Sequence, residues 1–242
     1  MNVNADLPKT ADKLKQFITY LLAGLVVLSG CGEGEPAKQI NGEEYFPLRT
    51  GFYQIYSIEE NVYTELNPPD SFVYELKTEV VDSFANQEGN FTYVIYRSTR
   101  PAENDPWEFQ EVWSARVNIS QVVLSEGNTA YIRIALPAFR NKEWNGNALN
   151  ALQEDSYLIE SAGGSYLLDP DLEFSDVLVI NQEDELNELK RDQREEVYAR
   201  NAGLIYKKSI VLNYCDDVQC FGQQIIKDGV EYWQVLKEYG QN

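Results

Sequence analysis

Residues 51–63 read GFYQIYSIEENVY, residues 72–84 read FVYELKTEVVDSF and residues 91–98 read FTYVIYRS. These stretches are rich in β-branched and aromatic residues and alternate with a period of two, the pattern of strands rather than helices. Near its centre the third is apolar on both faces, with Tyr93 and Ile95 against Val94 and Tyr96. A strand apolar on both sides belongs to a strongly curved sheet with material in its concavity, or to a two-sheet sandwich. Working outward, Phe109 to Val117, Ile119 to Leu124 and Tyr131 to Ala135 continue the pattern. In the last, Ile132 and Ile134 lie on one face and Tyr131 and Arg133 on the other. Shorter candidates are 157–160, 166–168 and 177–180, followed by a long one over 204–214. Gln223 to Lys227 and Val230 to Lys237 flank Asp228-Gly229, a pair suited to a two-residue hairpin turn. The exception is EDELNELKRDQREEVYAR over 183–200, whose residues are good helix formers. It is expected to hold a short helix near 184–195 that feeds a strand at Glu196 to Ala199. The fold expected is mainly β: one domain over residues 45–242, built on a curved antiparallel sheet, as half-barrel or sandwich.

The composition excludes several functions. The 242 residues hold 20 Lys and Arg against 39 Asp and Glu, a net charge of -19. Phosphate contacts need clustered basic residues, so nucleic acid is not an expected partner. With no His, imidazole-based triads and metal sites are absent. No cofactor is implied. The apolar share of 43% is too high for a disordered chain.

The first residues carry an address. Lys9, Lys13 and Lys15 precede the apolar run Phe17 to Leu28. The run is short for a membrane span and suits a signal-peptide core. It ends in Leu28-Ser29-Gly30-Cys31, which resembles the lipobox of bacterial lipoproteins. The resemblance implies a signal peptide over 1–30, cleavage before Cys31 and diacylation of Cys31 with chains such as palmitate. Buried acyl carbons then hold the protein at a membrane, at about 0.8 kcal/mol per CH₂. Residues 31–44 lack apolar periodicity and read as a lipidated, flexible tether. Glu33-Gly34-Glu35 resembles the acidic export signal of Bacteroidetes surface lipoproteins, and also fits a plain solvated linker. The implied location is the cell envelope, at the outer membrane, on its periplasmic or surface face.

Three blocks of the body extend the resemblance. Glu44-Tyr45-Phe46-Pro47-Leu48-Arg49-Thr50-Gly51-Phe52-Tyr53 is similar to a Y-F-P-L-x-x-G-x-x-Y opening found in bacterial lipoproteins. Tyr198 to Lys207 resembles their Y-A-x-x-V-G-L-V block, with Ala202 where Val is usual. Phe91 to Pro101 with Trp107 resembles their central R-x-x-R-P…W region. The family is that of Bacteroidetes-type lipoproteins of unassigned activity. The resemblance implies a curved sheet like the open half-barrels of periplasmic lipoprotein carriers, and carries over no catalytic residue.

Candidate chemistry is sparse. Cys215 and Cys220, with four residues between them in an exported chain, are expected to pair as a staple on Asp216 to Gln219. Their spacing is not that of a redox pair, which has two intervening residues. Asp169, Asp171 and Glu173, with Asp176, form a carboxylate cluster of the kind that holds Ca²⁺, but the stretch has no Gly and no EF-hand Glu. Such clusters also arise as solvated loops in an acidic chain. Trp107, Trp113, Trp144 and Trp233 could line a sugar-stacking groove, or pack the sheet. The loop 141–147 is rich in amides around one Trp, and Trp144, Asn145 and Asn147 are its candidate recognition residues.

Three functions stay open at this point. One is a non-enzymatic, lipid-anchored β domain that binds a protein, glycan or lipid, which needs a concave aromatic or apolar face. Another is a carboxylate-dependent glycoside hydrolase, which needs two acids in one cleft, one of raised pKa. The third is a structural subunit of an envelope complex, which needs an exposed apolar patch.

Overall fold

The structure is a computed structural model that describes residues 42–65, 67–85, 87, 90–170 and 172–242. The signal peptide, nearly all of the tether, Cys31 and Asp171 lie outside the described residues. The described residues fall within one compact unit.

A 3₁₀ turn at Glu43–Tyr45 leads into β1 (Phe52–Tyr63), β2 (Asp70–Ala85), β3 (Phe91–Arg100), β4 (Glu108–Val117), β5 (Gln121–Glu126) and β6 (Thr129–Ala135). There follow β7 (Glu143–Asn145), β8 (Ser156–Ala162), β9 (Ser165–Asp169), β10 (Leu172–Ser175), β11 (Val177–Leu186), β12 (Lys190–Ala199), β13 (Gly203–Tyr214) and β14 (Ile226–Gln241). Twelve strands form one sheet in the order β6-β5-β4-β3-β2-β1-β14-β13-β12-β11-β8-β7. The first and last strands of the chain therefore pair at its centre, Phe52 opposite Gln241.

The sheet curls until its two edges meet. Ile132 N–H in β6 donates to Gly146 O just past β7 (2.9 Å). Trp144 Nε1 donates to Ile132 O and Asn150 Nδ2 to Ala130 O, both at 2.9 Å. The result is a curved sheet close to a barrel; of the two expected forms, it is not the two-sheet sandwich. Register breaks interrupt most ladders, for example at Ile55/Tyr56, Val80/Asp82 and Asn181/Glu183. Each extra residue bends its strand and adds twist, which closes a sheet. Where the edges meet, Val122, Ile134, Ile159, Leu178 and Ile180 pack at 0% exposure around Tyr45. A fully buried side chain of this kind contributes about 1.5–3 kcal/mol. The separate hairpin β9–β10 covers part of the outside, with Tyr166 packed on Tyr206 and Phe174 on Tyr239.

Two local expectations are corrected. The short helix near 184–195 does not form; this stretch is the β11–β12 hairpin. Asn187 Oδ1 accepts the N–H groups of Leu189 and Lys190 and holds the turn. The charges that favour a helix here find cross-strand partners instead, with Glu196 opposite Lys207 and Glu195 opposite Lys208. Asp228-Gly229 is likewise no hairpin turn. It lies inside β14, where Gly229 at φ 133° pairs with Tyr63 on one side and Leu212 on the other. A Cβ there would meet Val211 O, so a backbone approach, not a turn, demands the glycine.

Candidate functional site

Directly opposed residues of an antiparallel pair share a face, so the registers fix what points inward. Val80 opposes Ile95, Ile95 opposes Trp113 and Trp113 opposes Glu126. Tyr56 opposes Leu76 and Leu236, while Ser209 opposes Tyr232 and Arg194. These inward rows enclose a cavity of about 410 Å³, within the range of small-ligand pockets.

Its wall is layered along the strands. The lowest layer is apolar: Phe52, Val80, Ile95 and Leu124 form one packed cluster, backed by Phe46 and Leu48. Pro47 sets the entry of that segment, which also walls a second depression reaching Asn90 and Phe91. The middle layer is polar, with Gln54, Arg97, Trp113, Arg133, Glu196 and Lys207. The upper layer holds Tyr74, Tyr232 and Glu60, and here the cavity continues into a depression lined by Thr99, Gln110 and Glu111.

On one side of the middle layer stands a buried ionic network. Glu196, 2% exposed, accepts from Arg133 Nη1 (3.3 Å), Lys207 Nζ (3.1 Å) and Tyr198 OH (2.6 Å). Arg133 also pairs with Glu126. Burial works against ionising Glu196, but Arg133, Lys207 and the Tyr198 hydroxyl more than offset it and hold its pKa down to about 2. Burial raises the Tyr198 hydroxyl well above its ordinary value, and Glu196 adds to that rise. Further along the wall, where Trp113 opposes Glu126, the Arg97 guanidinium stacks 3.7 Å from the Trp113 ring centroid. Its Nη1 donates to Glu111 at 2.7 Å. Among the described residues, Arg97 Nε and Trp113 Nε1 are buried without a hydrogen-bond partner.

The expected site residues fall elsewhere. Trp144, Asn145 and Asn147 do come together, and the Trp144 Nε1, the Asn145 Oδ1 and the Asn147 side-chain amide are engaged within the chain. The Trp144 ring meets Tyr157 edge-on at 5.7 Å while its Nε1 bonds Ile132. Asn145 Oδ1 accepts from the N–H groups of Asn147 (2.8 Å) and Asp155 (3.1 Å), and Asn147 Nδ2 donates to Gln153 O (2.6 Å). Asp169 closes β9 and Glu173 lies in β10, where it opposes Leu167 rather than Asp169. Asp176 instead accepts from Tyr45 OH at 2.6 Å and from Arg200. Cys215 and Cys220 form a disulfide, with Cα atoms 5.9 Å apart. Asp217 lies beside their sulfurs, but a disulfide offers no thiolate to a metal.

Arg97, Arg133 and Glu196 were not among the expected interior groups; Trp113 was, as one of four rings expected to line a groove or pack the sheet. The one available signal was a charge on the alternating core face of a strand, as Arg97 is in FTYVIYRS. Closure of the sheet brings Arg133 to Glu196 from strands far apart in the chain, whereas Arg97 and Trp113 lie on the consecutive strands β3 and β4.

No protein-family model matches the chain, and no curated protein matches it. Among solved structures it is similar to the crystal structure of a "putative lipoprotein" from Parabacteroides distasonis, at 11% identity and a TM-score of 0.42, covering 81% of this chain and 98% of that one.

Proposed function

We propose that this chain is a lipid-anchored lipoprotein of the bacterial envelope whose β domain binds a small ligand inside the curled sheet. The single observation that carries the binding role is the interior cavity, in which an apolar base meets a polar layer. The anchor rests on the sequence Leu28-Ser29-Gly30-Cys31 behind a basic and apolar leader. Acyl groups on Cys31 tie the domain to the outer membrane, and the acidic body is repelled from an anionic bilayer, so it stands off on its tether.

The hydrolase reading finds less support. An acid catalyst needs a raised pKa, yet Glu196 is held ionised and Glu126 is tied to Arg133. The carboxyl that burial does raise, Glu195, faces the outside opposite Lys208. The subunit reading has one observation in its favour. Tyr96, Phe109 and Val112 are exposed, with Tyr96 stacked edge-on against Phe109. It gives no reason for a cavity.

Two measurements test the proposal. Labelled palmitate should be incorporated by cells expressing the chain and lost with Cys31→Ser. A thermal-shift panel of glycans, lipids and divalent ions should give one stabilising class, with about 2.7 kcal/mol at a hundredfold excess over Kd. Thr78→Trp, which fills the cavity, should cancel that shift. A panel that stays flat, or a shift that survives Thr78→Trp, removes the cavity as the binding site.

A further inference from the structure

Three side-chain donors are buried without a partner among the described residues: Arg97 Nε, Trp113 Nε1 and Gln182 Nε2. Two of the three residues, Arg97 and Trp113, line the same cavity. They sit on paired strands and stack on each other at 3.7 Å. A buried donor left unpaired is destabilising, and more so on a charged group. Two such donors on stacked side chains that line one cavity are complementary to an acceptor brought in from outside.

Nearby groups do not supply that acceptor. Tyr56 OH donates to Leu204 O at 3.1 Å, and Tyr232 OH donates to Gln234 Oε1 at 2.9 Å. Glu126 and Glu196 are committed to Arg133. Glu111 takes Arg97 Nη1 but lies at the outer depression, with its side chain 46% exposed, and leaves Nε unserved. Below the donor pair the wall is alkyl and aromatic: Phe52, Val80, Ile95 and Leu124. Above it the cavity opens past Thr99 and Gln110. Donors therefore stand between a polar entrance and an apolar base.

We propose that the cavity takes a single-chain amphiphile, with an oxygen-acceptor head on Arg97 Nε and Trp113 Nε1 and an alkyl chain along Phe52, Val80, Ile95 and Leu124. This rests on the ligand-binding reading above and names its ligand class. A free carboxylate and a neutral acyl ester present the same acceptor. The Arg97 charge favours the carboxylate, because hydrogen bonds between ions are stronger than neutral ones.

The test is calorimetric titration of the full chain bearing Cys31→Ser, so that no acyl group of its own competes. The probes are decanoate, methyl decanoate and a glycan that binds no apolar wall, such as maltose. Decanoate should bind at one site, Arg97→Met should weaken it about tenfold or more, and Thr78→Trp should abolish it. Trp113→Phe keeps the ring stack and should still weaken binding several-fold, with an unchanged circular-dichroism spectrum and no loss of cooperative unfolding. Ester weaker than acid assigns the head to a free acid, and ester equal to acid assigns it to an acyl lipid; either supports the amphiphile. Absence of decanoate and ester binding, or binding indifferent to both Arg97→Met and Trp113→Phe, overturns it and leaves the two donors to water. Should maltose or another compound bind and be blocked by Thr78→Trp while decanoate fails, the ligand-binding reading stands and the amphiphile falls. If nothing binds, both fall.

Discussion

Glu196 is ionised where water barely reaches it, so its charge depends on three neighbours. With its folded pKa near 2 against an ordinary value of 4.5, its contribution is fully present above about pH 5. That contribution drains away as pH falls through the window from about 4.5 to about 2. A gap of that size corresponds to about 3 kcal/mol. Glu196→Gln should therefore lower stability by about 3 kcal/mol at pH 7, in the range seen when one partner of a buried pair is removed. Urea unfolding at several pH values checks this. The difference between wild type and variant should shrink on acidification, and a difference that stays constant from pH 6 to pH 3 would refute the role. Nothing near Glu196 in the sequence announces its burial. Glu196 was expected only as the first residue of a short strand, and the compensating Arg133 lies 63 residues away.

Strands were legible where alternation was clean, as in β1, β2 and β3, because a half-buried pleat imposes a period of two on any sequence that forms it. The β11–β12 hairpin was not. Local propensity pointed to helix, and the pairing with β13 on one side and β8 on the other overrode it. Gly229 shows the same limit. Its neighbour Asp228 suggested a turn, whereas the true constraint is Val211 O on the next strand. Gly229→Ala should cost about 2 kcal/mol or more, since it adds both positive-φ strain and a backbone clash. Denaturant midpoints will show it, and an alanine variant as stable as wild type would mean that β13 and β14 can part there at no cost. The Cys215–Cys220 link closes only a short loop beside β13. Reduction should lower stability by about 2 kcal/mol at most, leaving the sheet folded. A melting curve in reductant that loses its cooperative transition would show that the disulfide holds far more than its loop.

The whole sheet is organised around the pairing of its first and last strands. β14 lies between β1 and β13, so it closes two ladders at once. A chain ending at Ile225 should lose cooperative unfolding altogether and not merely fray, because both halves of the sheet lose their common neighbour. A sharp thermal transition in that truncated chain would contradict this. The sequence by itself determined the class of fold, since period-two alternation is a local property. It also determined the disulfide, since two cysteines close in sequence are already close in space, and the acidic character that disfavours nucleic acid. The near-closure of the sheet, the cavity and the pairing of Arg97 with Trp113 were decided only by the tertiary structure. They depend on strand register, on bulges that bend the sheet and, for its closure, on contacts between strands distant in the chain. A register can turn a charged residue from solvent to interior without changing a letter of the sequence.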